Sequence, residues 1–190
     1  MNVLTTLVAA GMVLVAGMGH SVAADATAKP QGTERTMLAS AYDNKYADGV
    51  RLSQQRTSGK AFPIMLEYAK YGEKNAQYLV GTYYLAGIGT EANPMEGLIW
   101  LGVALEQKIP DWQRRFDTLT ANLTAEQKTL LAQKTAERIA LYGVEAQHMR
   151  CNLEKRDIRS NTLQYKCKKV RDGSNRVTIT EYPELAANAS

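Results

Sequence analysis

Two residue types that carry much of protein chemistry are scarce here. The 190-residue chain has two histidines and two cysteines. His20 lies in an apolar leader, so His148 alone remains to serve any Ser-His-Asp or Cys-His site. The chain also lacks G-x-S-x-G, the phosphate-cradling P-loop, H-E-x-x-H and G-x-G-x-x-G. With no nucleophile–base pair apparent, His148 is expected to be a solvent-facing or locally bonded side chain. The reading is a protein that is not an enzyme, with no cofactor and no metal; an unrecognised hydrolase is the remote alternative.

Charge is missing from one place. Residues 1–24 contain no Lys, Arg, Asp or Glu, and an apolar run from Val3 to Met18 is followed by small residues. Val22 and Ala24 fit the small-x-small pattern of a cleaved signal peptide, leaving Asp25 as the new N-terminus. A retained anchor is the alternative, but the run is shorter than the roughly 20 residues a span requires. No cysteine follows it, which argues against a lipoprotein. The expected location is periplasmic or secreted, with no membrane span after cleavage.

Export fits the cysteines. Cys151 and Cys167 lie close together near the C-terminus, and in an oxidising compartment a disulfide is the simplest pairing. A loop of this size contributes on the order of 3 kcal/mol in the chain-entropy model. The alternative, a zinc set of both cysteines with His148, is an uncommon ligand combination.

The remaining composition is ordinary: 45% hydrophobic, 22% charged, net charge +4 and pI ≈ 9.0, enough for one domain with a small appendage. Residues 25–36 are polar with Pro and Gly and read as a flexible lead-in. Residues 37–143 read as helical. A mixed pattern over 37–55 is followed by a helix from Ala61, with Pro63 in its first turn and Gly72 at its end. The next helix runs from about Lys74 to Ala86. Asn93-Pro94 starts another, to about residue 107, and Trp112, Phe116 and Leu119 suggest a short one. Thr124 and Gln127 form a capping box for a last helix ending near Gly143, with Leu130, Leu131, Ala136, Ile139 and Ala140 as its apolar set.

From residue 144 the periodicity becomes two. Met149, Cys151, Leu153, then Leu163, Tyr165, Cys167, then Val177, Ile179 predict three short strands in a meander, with a C-terminal tail, over 144–190. The fold class is therefore mainly α, an α–α solenoid-type array with a small disulfide-stapled antiparallel β appendage. From Glu145 to Arg176 there are nine Lys or Arg against four acids. Lys155, Arg156, Lys166, Lys168 and Lys169 are candidates for an anionic cell-envelope surface. Solvated strand faces, with lysine discouraging edge pairing, are the plainer explanation. No stacking aromatic stripe accompanies this charge, so nucleic acid is not expected.

One stretch is unusual for a helical segment: "AKYGEKNAQYLVGTYYLAGIG", with four glycines. Together with the following helix it resembles one complete Sel-like repeat, the short relative of the tetratricopeptide repeat, over residues 69–107. The matching positions are Ala69, Gly72, Ala76, Gly81, Tyr84, Gly87, Gly89, Gly97, Trp100 and Ala104. Gly97 stands where the pattern has alanine. The resemblance implies that Gly72 and Gly87 reverse the chain, and that Gly81 and Gly97 allow two helices to approach closely, with Tyr84 and Trp100 beside the crossing. It extends more weakly over 61–142. It further implies a protein-interaction scaffold whose first-helix residues Gln77, Tyr78 and Thr82 point to the concave, partner-binding side. Packing against neighbouring segments is the alternative for these side chains.

Overall fold

The structure, a computed structural model, describes residues 30–55, 58–156, 158–159 and 161–183. The expected signal peptide lies outside the described residues. A strand, β1 (Thr33–Leu38), leads into the helices α1 (Ala39–Ser53), α2 (Ser58–Lys70), α3 (Lys74–Ala86) and α4 (Pro94–Ala104). A 3-10 turn (Leu105–Gln107), α5 (Pro110–Thr120) and α6 (Ala125–Tyr142) follow, then strands β2 (Met149–Lys155), β3 (Leu163–Lys169) and β4 (Arg176–Glu181). No helix among the described residues is long and apolar enough to cross a membrane.

Each helix pairs with the next from α1 to α4, and α6 closes on α4 while α5 sits at the margin. α4 is the central element, buried without interruption from Gly97 to Ala104. An all-apolar helix is stable only where neighbours cover every side, and glycine makes that possible. A Cβ on Gly81 would lie 2.8 Å from the carbonyl oxygen of Gly97, and one on Gly97 would lie 2.9 Å from that of Gly81. The α3 and α4 backbones therefore touch directly. On another side of α4, a Cβ on Gly102 would lie 2.8 Å from Thr135 of α6. Gly72, Gly87 and Gly89 have φ of +94°, +66° and +72°, which a side chain would strain.

Trp100 stacks on Tyr142 at 5.6 Å, with the Arg138 guanidinium 4.8 Å above its ring. Tyr84 is half-buried and meets Phe62 edge-on at 5.3 Å. Ala69, Ala76 and Ala104 are fully buried. Between α1 and α2 the core is largely tyrosine: Tyr68 meets Tyr42 at 4.8 Å, Tyr46 at 5.0 Å and Tyr71 at 5.6 Å. Two of their hydroxyls find partners inside, while that of Tyr46 is buried without one among the described residues. Tyr68 donates to the Tyr42 carbonyl and Tyr42 to Glu73.

Four features differ from the sequence reading. Residues 33–36, read as lead-in, belong to β1, which pairs antiparallel with β4 from Thr33–Glu181 to Leu38–Arg176. The C-terminal strands accordingly form a β2–β3 hairpin while β4 leaves to join β1, so the third strand of the meander has another partner. Val177 and Ile179 of β4 enter the main core, and this packing decides the pairing. α2 begins at Ser58, which places Pro63 inside the helix. Proline has no N–H for the Gly59 carbonyl, and that carbonyl faces the close approach of Gly89 instead. Lastly, α6 buries Leu131, Leu141 and Tyr142, whereas Leu130, Ala136 and Ala140 are exposed. It packs on α4 along a narrow stripe at the edge of the array. Its Thr124–Gln127 capping box has both reciprocal hydrogen bonds.

Candidate functional site

The first helices α1 and α3 carry Tyr46 and Tyr78 at matching positions, but Tyr46 packs into the core against Tyr68, whereas Tyr78 meets Trp112 of α5. In α1 and α3 the aromatic residue stands three positions before a buried glycine, Gly49 or Gly81, at the crossing with the next helix. A Cβ on Gly49 would collide with Ile64 and Met65 of α2. Tyr78 and Trp112 stack at 4.5 Å with planes 15° apart, and both are half-buried. Asn75 is exposed one turn before Thr82's neighbour Tyr78, and Thr82, half-buried, donates to the Tyr78 carbonyl. The arrangement offers a half-exposed stacked aromatic pair with an amide and a hydroxyl group near it. Such surfaces suit protein contact, because they give large apolar area at small entropic cost.

Gln77 does not belong to this surface. It is 0% exposed, and its amide donates to the carbonyls of Ala69 and Tyr142 while accepting from Lys74. Three chain segments meet at one side chain. Lys74, also buried, pairs with Glu106 at 2.6 Å, and Glu106 accepts from the Val144 backbone. Burial lowers the Lys74 pKa, opposed by Glu106.

A second buried polar cluster joins the helices to the strands. Lys169 is 8% exposed and donates to the carbonyls of Gln147 and Thr178. It is therefore removed from the candidate anionic surface: at the base of β3 its face points into the body. Burial pushes its ammonium down to about 7, against the attraction of Glu73. Burial also raises the Glu73 carboxyl above its ordinary range, opposed by the Tyr42 hydrogen bond and then by Lys169 and Lys74. Gln147 is fully buried and donates to Leu141 and Thr180 carbonyls. The two-residue period of Leu163, Tyr165 and Cys167 continues to Lys169 and places it on the inward face, whereas no such pattern marks Glu73 or Gln147 as interior.

The other predicted cations stay outside. Lys155, Arg156 and Lys168 are exposed, and Lys168 pairs with Glu154 at 2.6 Å. Lys166 curls toward the hairpin end and donates to the carbonyls of Lys155 and Arg156. Cys151 and Cys167 stand directly opposite in the β2–β3 register and are joined by a disulfide. Both sulfurs are thus committed to the staple.

His148 opens onto a cleft of about 930 Å³ with Glu34, Glu145, Thr180 and Tyr182 in its wall. Its Nε2 lies 3.0 Å from Glu34 and 3.4 Å from the Thr180 hydroxyl. A relay needs the acid on one ring nitrogen and the nucleophile on the other. Here both share Nε2, so the geometry is that of a locally bonded histidine. No group of three or more metal-type ligands occurs among the described residues.

No protein-family model matches the chain, and no curated protein matches it. Among solved structures, the chain is similar to the crystal structure of c5321, a protective antigen present in uropathogenic Escherichia coli strains displaying an SLR fold. The identity is 22%, the TM-score 0.47, and the match covers 54% of this chain and 23% of that one, so this chain corresponds to under a quarter of the antigen's length. The helical-repeat architecture described above rests on this chain's own helix crossings.

Proposed function

We propose that the chain is a non-enzymatic protein-interaction module, exported by its leader, that docks a protein partner on the row of first helices. The observation that supports this reading is the half-exposed Tyr78–Trp112 stack. Two aromatic rings from separate helices are stacked face to face and left half-exposed, at the position where solenoids of this type present a continuous surface. The disulfide is in keeping with an oxidising compartment such as the periplasm or the cell exterior.

The test is a photo-crosslinker at Thr82, beside the stack, in the native envelope. The expected result is one discrete protein adduct that disappears in Trp112→Ala while the melting temperature holds. Absence of any adduct, or an adduct indifferent to Trp112→Ala, would contradict the reading.

A further inference from the structure

The β2–β3 hairpin concentrates exposed apolar residues at its free end. Leu153 is 56% exposed, Leu163 58% and Ile158, in the turn, 99%. The register explains why the two leucines share a side. Leu153 lies opposite Tyr165 and Lys155 opposite Leu163, and directly opposed residues in an antiparallel ladder point to the same face. Nearer the base, that face holds the disulfide and then the buried Met149 and Lys169. It is core where it meets the body and open beyond it. Lys108 reaches the Tyr165 ring at 4.9 Å, so the body ends about where the exposed leucines begin.

Cations outnumber acids at this end, where the sequence has Asp157 and Glu154 against Lys155, Arg156, Arg159, Lys166 and Lys168. Lys155, Arg156 and Arg159 are exposed, and Lys166 is drawn to the carbonyls of Lys155 and Arg156. Glu154, the acidic residue of β2, is occupied by Lys168. A two-stranded ribbon is marginal by itself, yet the one disulfide of the chain is placed here, where it fixes the ribbon. The bond makes sense if the ribbon must stay formed while its apolar end faces outward.

We propose that the hairpin end is a peripheral membrane-binding device. Ile158, Leu153 and Leu163 enter the headgroup–acyl boundary of a bilayer, and the surrounding Lys and Arg meet anionic lipid headgroups. A projecting apolar end inside a cationic collar matches a bilayer surface, which accepts protrusions and carries negative charge. A peptide partner would call for a groove around these residues instead, and Ile158 stands almost fully clear of its neighbours. None of these residues belongs to the Tyr78–Trp112 pair, so each proposal has its own variants and its own test.

The test is vesicle cosedimentation of the chain from Asp25 onward, which keeps every described element and removes the apolar leader as an independent anchor. Phosphatidylglycerol–phosphatidylcholine vesicles are compared with pure phosphatidylcholine at low and high salt. The expected result is binding to the anionic vesicles, with Ile158→Asp and Leu163→Ser each weakening it about tenfold at unchanged melting temperature. Lys155→Glu weakens it less, and mainly at low salt. No binding to anionic vesicles would overturn the proposal. So would binding that high salt abolishes and Ile158→Asp leaves untouched, which is plain polyanion adsorption. Saturable, Ile158-dependent binding to an acidic apolar peptide without vesicle binding would replace the lipid by a protein partner.

Discussion

In the helical body, close contact comes from atoms left out. Gly81 and Gly97 let two backbones meet, and α4 fills the space with apolar side chains on every side. In the β2–β3 ribbon the chain does the opposite, adding a covalent bond where there is little packing and leaving leucine and isoleucine in water. The body behaves as a cooperative packed core, sensitive to any added volume. The ribbon depends on a single cross-link and a short buried base. Packing holds the part that would present the aromatic face, and chemistry holds the part that projects.

The strongest way to break the body is to fill its crossing. Gly81→Val places carbon against the Gly97 carbonyl, where no flexible side chain can yield. The expected cost is about 3 kcal/mol or more, a fall in melting temperature of roughly 6–12 °C for a chain of this size. Thermal unfolding followed by helical circular dichroism measures it. Removing the ribbon's staple, by Cys151→Ser with Cys167→Ser, is expected to cost up to about 3 kcal/mol. That loss should fall on residues 149–169 and barely move the helical melt, which a probe placed in each region would separate.

Most of the helices were legible in sequence because their boundaries carry local chemistry. Asn93-Pro94 starts α4, with the Asn93 side chain accepting from the Glu96 N–H, and Thr124–Gln127 starts α6. Gly87 ends α3 in a left-handed cap. The period-two stretch gave the paired cysteines their strands. What sequence could not supply were the long-range choices. Strand β1 is polar and exposed along most of its length, and only its partner β4 makes it a strand. Gln77, Lys74 and Lys169 are polar by type and buried by tertiary docking, and residue type alone points Gln77 and Lys169 to the surface. Sequence marks Trp112 as an apolar helix residue, but its stacking on Tyr78 depends on how α5 meets α3.

The junction between the two regions should respond to pH. Unfolded Lys169 keeps its proton to about pH 10, whereas the folded group releases it near 7. The unfolded state therefore holds more protons between those values, and stability rises with pH across that window. Buried Lys74 acts with the same sign, while Glu73, raised by burial, acts with the opposite sign at lower pH. The buried tyrosines, also raised, reverse the trend above about pH 10 as their unfolded forms ionise. Urea midpoints measured from neutral to mildly alkaline pH should climb in the natural chain and climb less in Lys169→Met. The smallest effect on stability is expected at the surface: Tyr78→Ala should cost about 1 kcal/mol or less while abolishing partner capture at Thr82.

Amide hydrogen exchange, followed by mass spectrometry with and without a thiol reductant, bears most directly on the division between body and ribbon. The account predicts that reduction accelerates exchange over 149–169 while α2, α3 and α4 keep their protection. Uniform loss of protection across the helices would contradict it, because the disulfide would then be holding the whole fold. Unchanged protection in the ribbon would contradict it as well, because packing alone would suffice there.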